Sequence, residues 1–419
     1  MKFLVIHQGR RDNYQVALSL LEKGHEVVLV TSAYSTNTIK FLQKFLNFSL
    51  LKKLSDRDIG THEGLTVHSL NLVEVLLRIF SRLLPERVSV ELLTHHVYLL
   101  ASKVLSKNHF DCIVAYNYDA FEIFEKLKIG GPYKIIFQCH PHPILIYEQF
   151  AKLIEGGLVP SNNQEKEFSY SAKYQAMLIA EPHLADHAIC ASSYTKKSLL
   201  RTGIARENIT VIPYGVEDIF RRKSINPRSP EDQKADRITL LFVGQFVHRK
   251  GLTIIEAILK KIDFPTRVIF VGRGLKELEP AQSVRNSNVE IEVHWDVPLP
   301  KLVDLYHSAD VFLFPSFVEG FAHVILEAMH AGCIPLVSDT TCGPDVIVQG
   351  ESGFVIPVTE IDQYLNSLRL LLDLGTRNKM QIASTLRARQ FTWKLFRTEF
   401  EQTVVELVAE NINNKDLHS

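Results

Sequence analysis

The chain has 419 residues, 46% of them hydrophobic and 22% charged, and its 47 basic residues balance its 47 acidic ones. That length exceeds one typical domain and predicts two large ones, and the absence of net charge removes the basic excess expected of a nucleic-acid binder. Cys112, Cys139, Cys190, Cys333 and Cys342 form no C-x-x-C pair and lie mostly in apolar runs, which predicts buried thiols in a reducing compartment, not a disulfide framework. The N-terminal MKFLVIHQGRR has an apolar core too short for a signal peptide. No apolar run approaches the roughly eighteen residues of a spanning helix, so a cytosolic location is expected.

Short β-branched runs alternate with helical patterns along nearly the whole chain. FLVI, HEVVLV, DCIVAY, KIIFQC, AICAS and ITVIP read as strands in the first half, and ITLLFVG, RVIFVG, VEIEV, DVFLFP, IPLVS and GFVIP in the second. Continuous apolar strands between amphipathic helices predict parallel sheets covered on both faces. The polar stretch Lys223–Arg237 interrupts the alternation and has the composition of a linker. The expected organisation is therefore two doubly wound α/β domains, 1–222 and 238–392, joined by 223–237. An amphipathic helix over 393–419 is expected to pack back on the first domain. Ligands belong in the cleft where the strand C-termini of the two sheets face each other.

Taken in chain order, Gly9 follows the first strand and lets the backbone approach a ligand closely. The surrounding residues carry no G-x-G-x-x-G, and no P-loop signature exists anywhere in the chain. Thr38–Leu54 (TIKFLQKFLNFSLLKKL) mixes Phe and Leu with four lysines. It suits an anionic membrane surface, but the favoured reading is a helix packed on its own domain with solvated lysines. QCHPHP places His140 at a strand end, stiffened by Pro141 and Pro143. The H-x-H pair has no identifiable third metal ligand, so His140 is either a hydrogen-bonding group at the cleft or a satisfied histidine.

LFVGQFVHRKGLTII opens the second half. A strand ends at Gly244, and a loop with His248, Arg249 and Lys250 leads through Gly251 into a helix. Cations beside a helix N-terminus make an anion site, although an exposed basic turn is equally consistent with the spacing. Val271–Gly274 (VGRG) repeats the strand-then-glycine pattern and reads as a structural turn.

In FVEGFAHVILEAMHAGCIPLVSD two carboxylates, Glu319 and Glu327, stand in apolar company, which is costly without polar partners. A helix is expected from Phe321 to Ala331 with Gly332 as its C-cap, and the amides of Gly320–His323 would then face the cleft. Singly, Glu319 needs only the helix dipole, and Glu327 only a partner such as His323 or water. Together they suit a ligand with hydroxyls around a phosphate, and the expectation is that this ligand is the polar partner of both. A nucleotide sugar has that layout.

At these residues the chain resembles the retaining glycosyltransferases of family 4, which have the GT-B fold. EGFAHVILE carries the Glu-x7-Glu motif, with Ala322 where the family usually has glycine. ITVIPYGVE, FVGQFVHRKG, ESGFVIP and the FTW ending at Trp393 also fit, but Gln245 stands where arginine is usual. The resemblance implies that Glu327 holds ribose hydroxyls, and that Glu319 with the Gly320, Phe321, Ala322 and His323 amides holds the transferred sugar. Lys250 would neutralise the leaving diphosphate, Arg249 would stand in for the missing arginine, Gly9 would sit under the donor and His140 near the transferred sugar. It further implies a UDP- or GDP-sugar donor, no metal or other cofactor, and retention with departure and attack on one face. The first domain would bind the acceptor, a glycan, lipid-linked or small-molecule hydroxyl, with peripheral contact at an anionic inner membrane face as a variant. Base selectivity is expected near His294–Val297. The rival expectations are an epimerase or phosphorylase of the same fold, or a catalytically weak nucleotide-sugar-binding subunit, to which Gln245 and Ala322 lend support.

Overall fold

In the structure, a computed structural model, every run read above as a strand is one. It describes residues 1–9, 12–35, 57–80, 86–127, 131–161, 168–222, 237–274 and 284–418. The Thr38–Leu54 segment and the Lys223–Arg237 linker lie outside them, apart from Arg237.

The first sheet holds β1 (Lys2–His7), β2 (Glu26–Thr31), β3 (Leu65–Ser69), β4 (Cys112–Tyr116), β5 (Tyr133–Gln138), β6 (His187–Cys190) and β7 (Ile209–Val211). The second holds β8 (Ile238–Phe246), β9 (Thr266–Gly274), β10 (Val289–Trp295), β11 (Val311–Phe314), β12 (Ile334–Ser338) and β13 (Phe354–Ile356). Their orders are β3-β2-β1-β4-β5-β6-β7 and β10-β9-β8-β11-β12-β13, parallel throughout. Alternate residues of β1 show why the strands read as unbroken apolar runs. Phe3 and Val5 enter one hydrophobic cluster and Leu4 and Ile6 the other, so both faces are covered. β3 escaped the sequence pattern because it is a half-exposed edge strand, LTVHS, with no fully buried residue.

All five cysteines are buried and free. The C-terminal helix Trp393–His418 turns Phe396, Phe400, Val404 and Val408 inward at helical spacing, all of them buried. It packs on the helix Gln15–Leu21, where Arg397 donates to Glu22 Oε2 and Gln15 Oε1, each at 2.7 Å.

Sheet order fixes where a ligand belongs. The strand sequence reverses direction between β1 and β4 in one sheet and between β8 and β11 in the other. Loops leaving the C-terminal ends at such a switch point diverge and open a crevice.

Candidate functional site

The second sheet's crevice is built by the loops after β8 and β11. After β8 the chain makes a single turn through His248–Lys250, then reaches Gly251 at φ 70°, in the left-handed region. A Cβ at Gly251 would lie 1.8 Å from the Pro315 carbonyl oxygen, so only glycine lets the two loops touch. That contact sets Lys250 and Arg249 beside the loop after β11. Lys250 Nζ and Arg249 Nη1 each lie 2.5 Å from Glu319 Oε1, and Ser316 Oγ donates to the same oxygen at 3.1 Å. Burial alone would raise the Glu319 carboxyl, but Arg249, Lys250 and the nearby His140 hold it down at about 2. It is ionised at any working pH. The cluster therefore gathers two cations around one buried carboxylate.

The helix beyond is shorter than expected, His323–His330 instead of Phe321–Ala331. Ala322 is its extended N-cap, and Gly332, at φ 88°, follows the C-cap Ala331. Gly320 and Phe321 therefore belong to the loop. Gly320 is where the two sheets' loops meet, since a Cβ there would sit 1.7 Å from the Cys139 carbonyl oxygen and 3.0 Å from His140 Cα. Ser192 Oγ donates to the Gly320 carbonyl at 2.5 Å, and the Ser193 amide to Asp345 Oδ2 at 2.9 Å. These contacts bring His140, at the end of β5, up to Glu319.

Both carboxylates have partners within the protein, which corrects the expectation that a ligand supplies them. Glu319 is ion-paired, and Glu327 Oε2 accepts a hydrogen bond from the buried Tyr306 hydroxyl at 2.8 Å. The expected partner His323 instead stacks on Tyr214, with ring centroids 4.7 Å apart, and burial lowers its pKa to about 4. Burial also raises Glu327 to about 7, with the Tyr306 hydrogen bond offsetting part of the rise. Glu327 and His323 line a cavity of about 200 Å³ with Asp12, Asn13, Glu217 and Trp393, so Glu327 still faces a space between the sheets.

Other residues singled out by the sequence fall around this point. Gly9, two residues past β1, has φ 80°, and its amide donates to Ser32 Oγ at 3.2 Å. The Phe321 ring packs on Tyr214, and Ala322 is buried. Gln245 is exposed near the end of β8, directly across the ladder from Arg273 of β9. In a parallel pair such partners project from the same face, so Arg273 is a cation one strand away from the position where arginine was expected. Among the described residues, no group of three or more His, Cys, Asp or Glu side chains is placed to hold a metal.

Sequence reasoning placed His140 at the first sheet's crevice but missed the other residues that line it. A cavity of about 330 Å³ lies at the ends of β1, β4 and β5, and Gln8, Thr94, Asn117, Tyr118, Asp119, His140, Tyr170 and Tyr174 help to line it. Gln8 fixes one wall, donating from its amide to Asp119 Oδ2 at 3.0 Å and from Nε2 to Asp119 Oδ1 at 2.6 Å and Thr94 Oγ1 at 2.7 Å. Thr94 in turn pairs with the Tyr174 hydroxyl at 3.0 Å. The one available signal was the Asn-Tyr-Asp turn directly after the strand DCIVAY.

Two parallel, doubly wound sheets whose switch points face a common cleft define the GT-B class. The family description "Glycosyltransferase Family 4" matches residues 11–218 and "Glycosyl transferases group 1" matches residues 225–387. The chain belongs to this glycosyltransferase family. It is 27% identical over 175 residues to the phosphatidylinositol N-acetylglucosaminyltransferase GPI3 subunit of Saccharomyces cerevisiae (strain YJM789), covering 39% of this chain and 37% of that one. It is 23% identical over 251 residues to the capsular polysaccharide biosynthesis glycosyltransferase CapM of Staphylococcus aureus, covering 55% and 64% respectively. The matches thus span about a third to two thirds of those relatives. The solved structure of Anabaena HepE in complex with UDP and glucose superposes on 97% of this chain with a TM-score of 0.59 at 15% identity, a likeness of fold.

Proposed function

We propose that the chain transfers a hexose from a nucleoside-diphosphate sugar to an acceptor hydroxyl with retention of anomeric configuration. The observation that carries this is the buried Arg249–Lys250–Glu319 cluster. Its two cations lie beside the opening of the helix His323–His330, whose first amides have no intrahelical acceptor. A leaving diphosphate gathers negative charge, and preorganised donors at that point stabilise it as it forms. Lys250 and Arg249 meet the diphosphate, and Arg273 supplies the charge that Gln245 lacks. Glu319, already ionised, accepts from hydroxyls of the transferred sugar, with His140 on its other side. Glu327 accepts from the ribose hydroxyls in the cavity it shares with Asn13.

Departure and attack on one face let the leaving phosphate oxygen take the acceptor proton, so no carboxylate base is needed. The likeness of fold to a protein solved with UDP and glucose supports a UDP-sugar as the first donor to try. Glu319 and Lys250 neutralise each other until a donor arrives, so binding must exchange that ion pair for contacts with phosphate and sugar.

The test is thermal unfolding against UDP-, GDP- and ADP-sugars, with Lys250→Ala and Glu327→Ala alongside. A ligand at a hundred times its dissociation constant stabilises by about 2.7 kcal/mol. One nucleotide series should raise the wild-type midpoint and leave both variants unmoved. A flat response from the wild type to every donor would sink the reading.

A further inference from the structure

One residue in the first sheet's cavity is held in a conformation its type avoids. Tyr118, in the turn after β4, has φ 82°. Bulky residues are rarely left-handed, and such an outlier persists only where its surroundings enforce it. Here the enforcing group is Glu181, a buried carboxyl that accepts the Tyr118 amide hydrogen bond at 2.8 Å. The backbone twist delivers the Tyr118 ring into the cavity between His140, at 5.8 Å and 86°, and Tyr170, at 6.4 Å and 64°.

We propose that Tyr118 is the stacking platform for a neutral pyranose ring of the acceptor, with Glu181 as the residue that positions it. The inference rests on the transfer reading above and names the acceptor class within it. Three features choose a neutral sugar. Three tyrosines, Tyr118, Tyr170 and Tyr174, line one cavity, and an aromatic face buries the apolar face of a pyranose while polar groups meet its edge. Asp119, held by Gln8, supplies a carboxylate whose oxygens each accept more than one donor, which suits adjacent hydroxyls. None of the described side chains lining the cavity is Lys or Arg, so Asp119 would repel a phosphorylated acceptor. The cavity also includes His140, the residue closing on Glu319, so a hydroxyl held there faces the donor sugar. Burial raises the Glu181 carboxyl to about 8, with Asp119 adding to the rise. Near neutral pH it is mostly uncharged, and glutamine reproduces it.

The experiment uses the full chain with neutral methyl α- and β-hexopyranosides of gluco, galacto and manno configuration as probes. Myo-inositol 1-phosphate and glucose 6-phosphate form the charged arm. Binding is read by saturation-transfer NMR, and donor binding separately by thermal shift. The wild type should bind at least one methyl pyranoside and neither phosphorylated probe. Tyr118→Ala should weaken that binding at least tenfold and Tyr118→Phe should keep it, while donor shifts stay unchanged in both. Glu181→Gln should bind as the wild type, and Glu181→Leu should lose the pyranoside with the donor shift retained. The inference is overturned if no pyranoside in the panel binds, if a phosphorylated probe binds in their place, or if Tyr118→Ala binds like the wild type. Pyranoside binding at Tyr118 without any donor shift would overturn the transfer reading and leave the cavity assignment standing.

Discussion

The two crevices facing this cleft are built in opposite ways. In the second sheet, Ser316, Glu319 and Glu327 come from one strand–loop–helix unit, with Arg249, Lys250 and Tyr306 arriving from elsewhere in the same domain. The first sheet's cavity draws Gln8 from the end of β1, Thr94 from the helix Glu86–Leu105, Tyr118 and Asp119 from the turn after β4, and Tyr174 from the helix Ala172–Ala180. One crevice is charged and concentrates its chemistry in sequence. The other is aromatic and assembles it in space. The difference follows from the ligands proposed for them. A diphosphate needs cations at fixed separation from helix amides, a demand that one rigid unit meets. A hexose ring needs surfaces on several sides, which only separate elements provide.

The sharpest way to break this picture is at Gly320, where the two crevices touch. Gly320→Ala puts a methyl group into the Cys139 carbonyl, which must move away. Each sheet should keep its own fold, while His140 and Glu319 separate. A displacement of about 1 Å between reacting groups costs about 100-fold in rate. We expect kcat/KM to fall by about that factor, the circular dichroism spectrum to be unchanged and the radius of gyration in solution to rise. Unaltered turnover would show that closure at Gly320 is not part of the reaction.

A second break separates charge from shape. Glu319→Gln keeps the side chain's size but leaves Arg249 and Lys250 facing a neutral amide. The folded carboxyl sits at about 2, below its ordinary value of 4.5, so its ionised form stabilises the fold. That stability is fully present above pH 4.5 and is lost as pH falls toward 2. Urea midpoints should place the variant on the order of 3 kcal/mol below the wild type at pH 6. The gap should close between about pH 4.5 and 2. A gap independent of pH would mean that the ion pairs contribute nothing to folding.

These contrasts also explain how much the sequence disclosed. The parallel sheets were legible because β1, β4 and β8 are buried on both faces and carry that burial in their composition. Edge strand β3 pairs with β2 alone and shows a mixed pattern. The Glu319–Glu327 unit could be read because a carboxylate in an apolar run is costly wherever the chain folds. Its partners could not, because Tyr306 reaches Glu327 from the helix Leu299–Ser308, and nothing in either segment marks the pairing. Tyr118 gave least of all. Its left-handed backbone depends on Glu181, remote in sequence, and a tyrosine after a strand looks like any other. Charge at the wrong place is visible locally, whereas shape is not.

The smallest expected effect tests whether Glu327 faces a ligand at all. Burial lifts its carboxyl to about 7 against an ordinary 4.5, so folding favours the protonated form. For an acid raised in this way, stability is greatest below pH 4.5 and declines as pH climbs to about 7. Glu327→Gln removes that decline, and its advantage over the wild type should grow from pH 5 to 8. The gain should reach on the order of 1–2 kcal/mol, since the side chain is only half-buried and solvent screens it. Donor binding must run the other way. Ribose hydroxyls donate to the ionised carboxylate, so a nucleotide sugar that binds here drives off the proton, and its affinity should rise with pH through about 7. In Glu327→Gln the same titration should be flat and weaker at pH 8. If wild-type affinity is level from pH 6 to 8 while the stability trend holds, Glu327 belongs to the Tyr306 hydrogen bond alone and the ribose lies elsewhere.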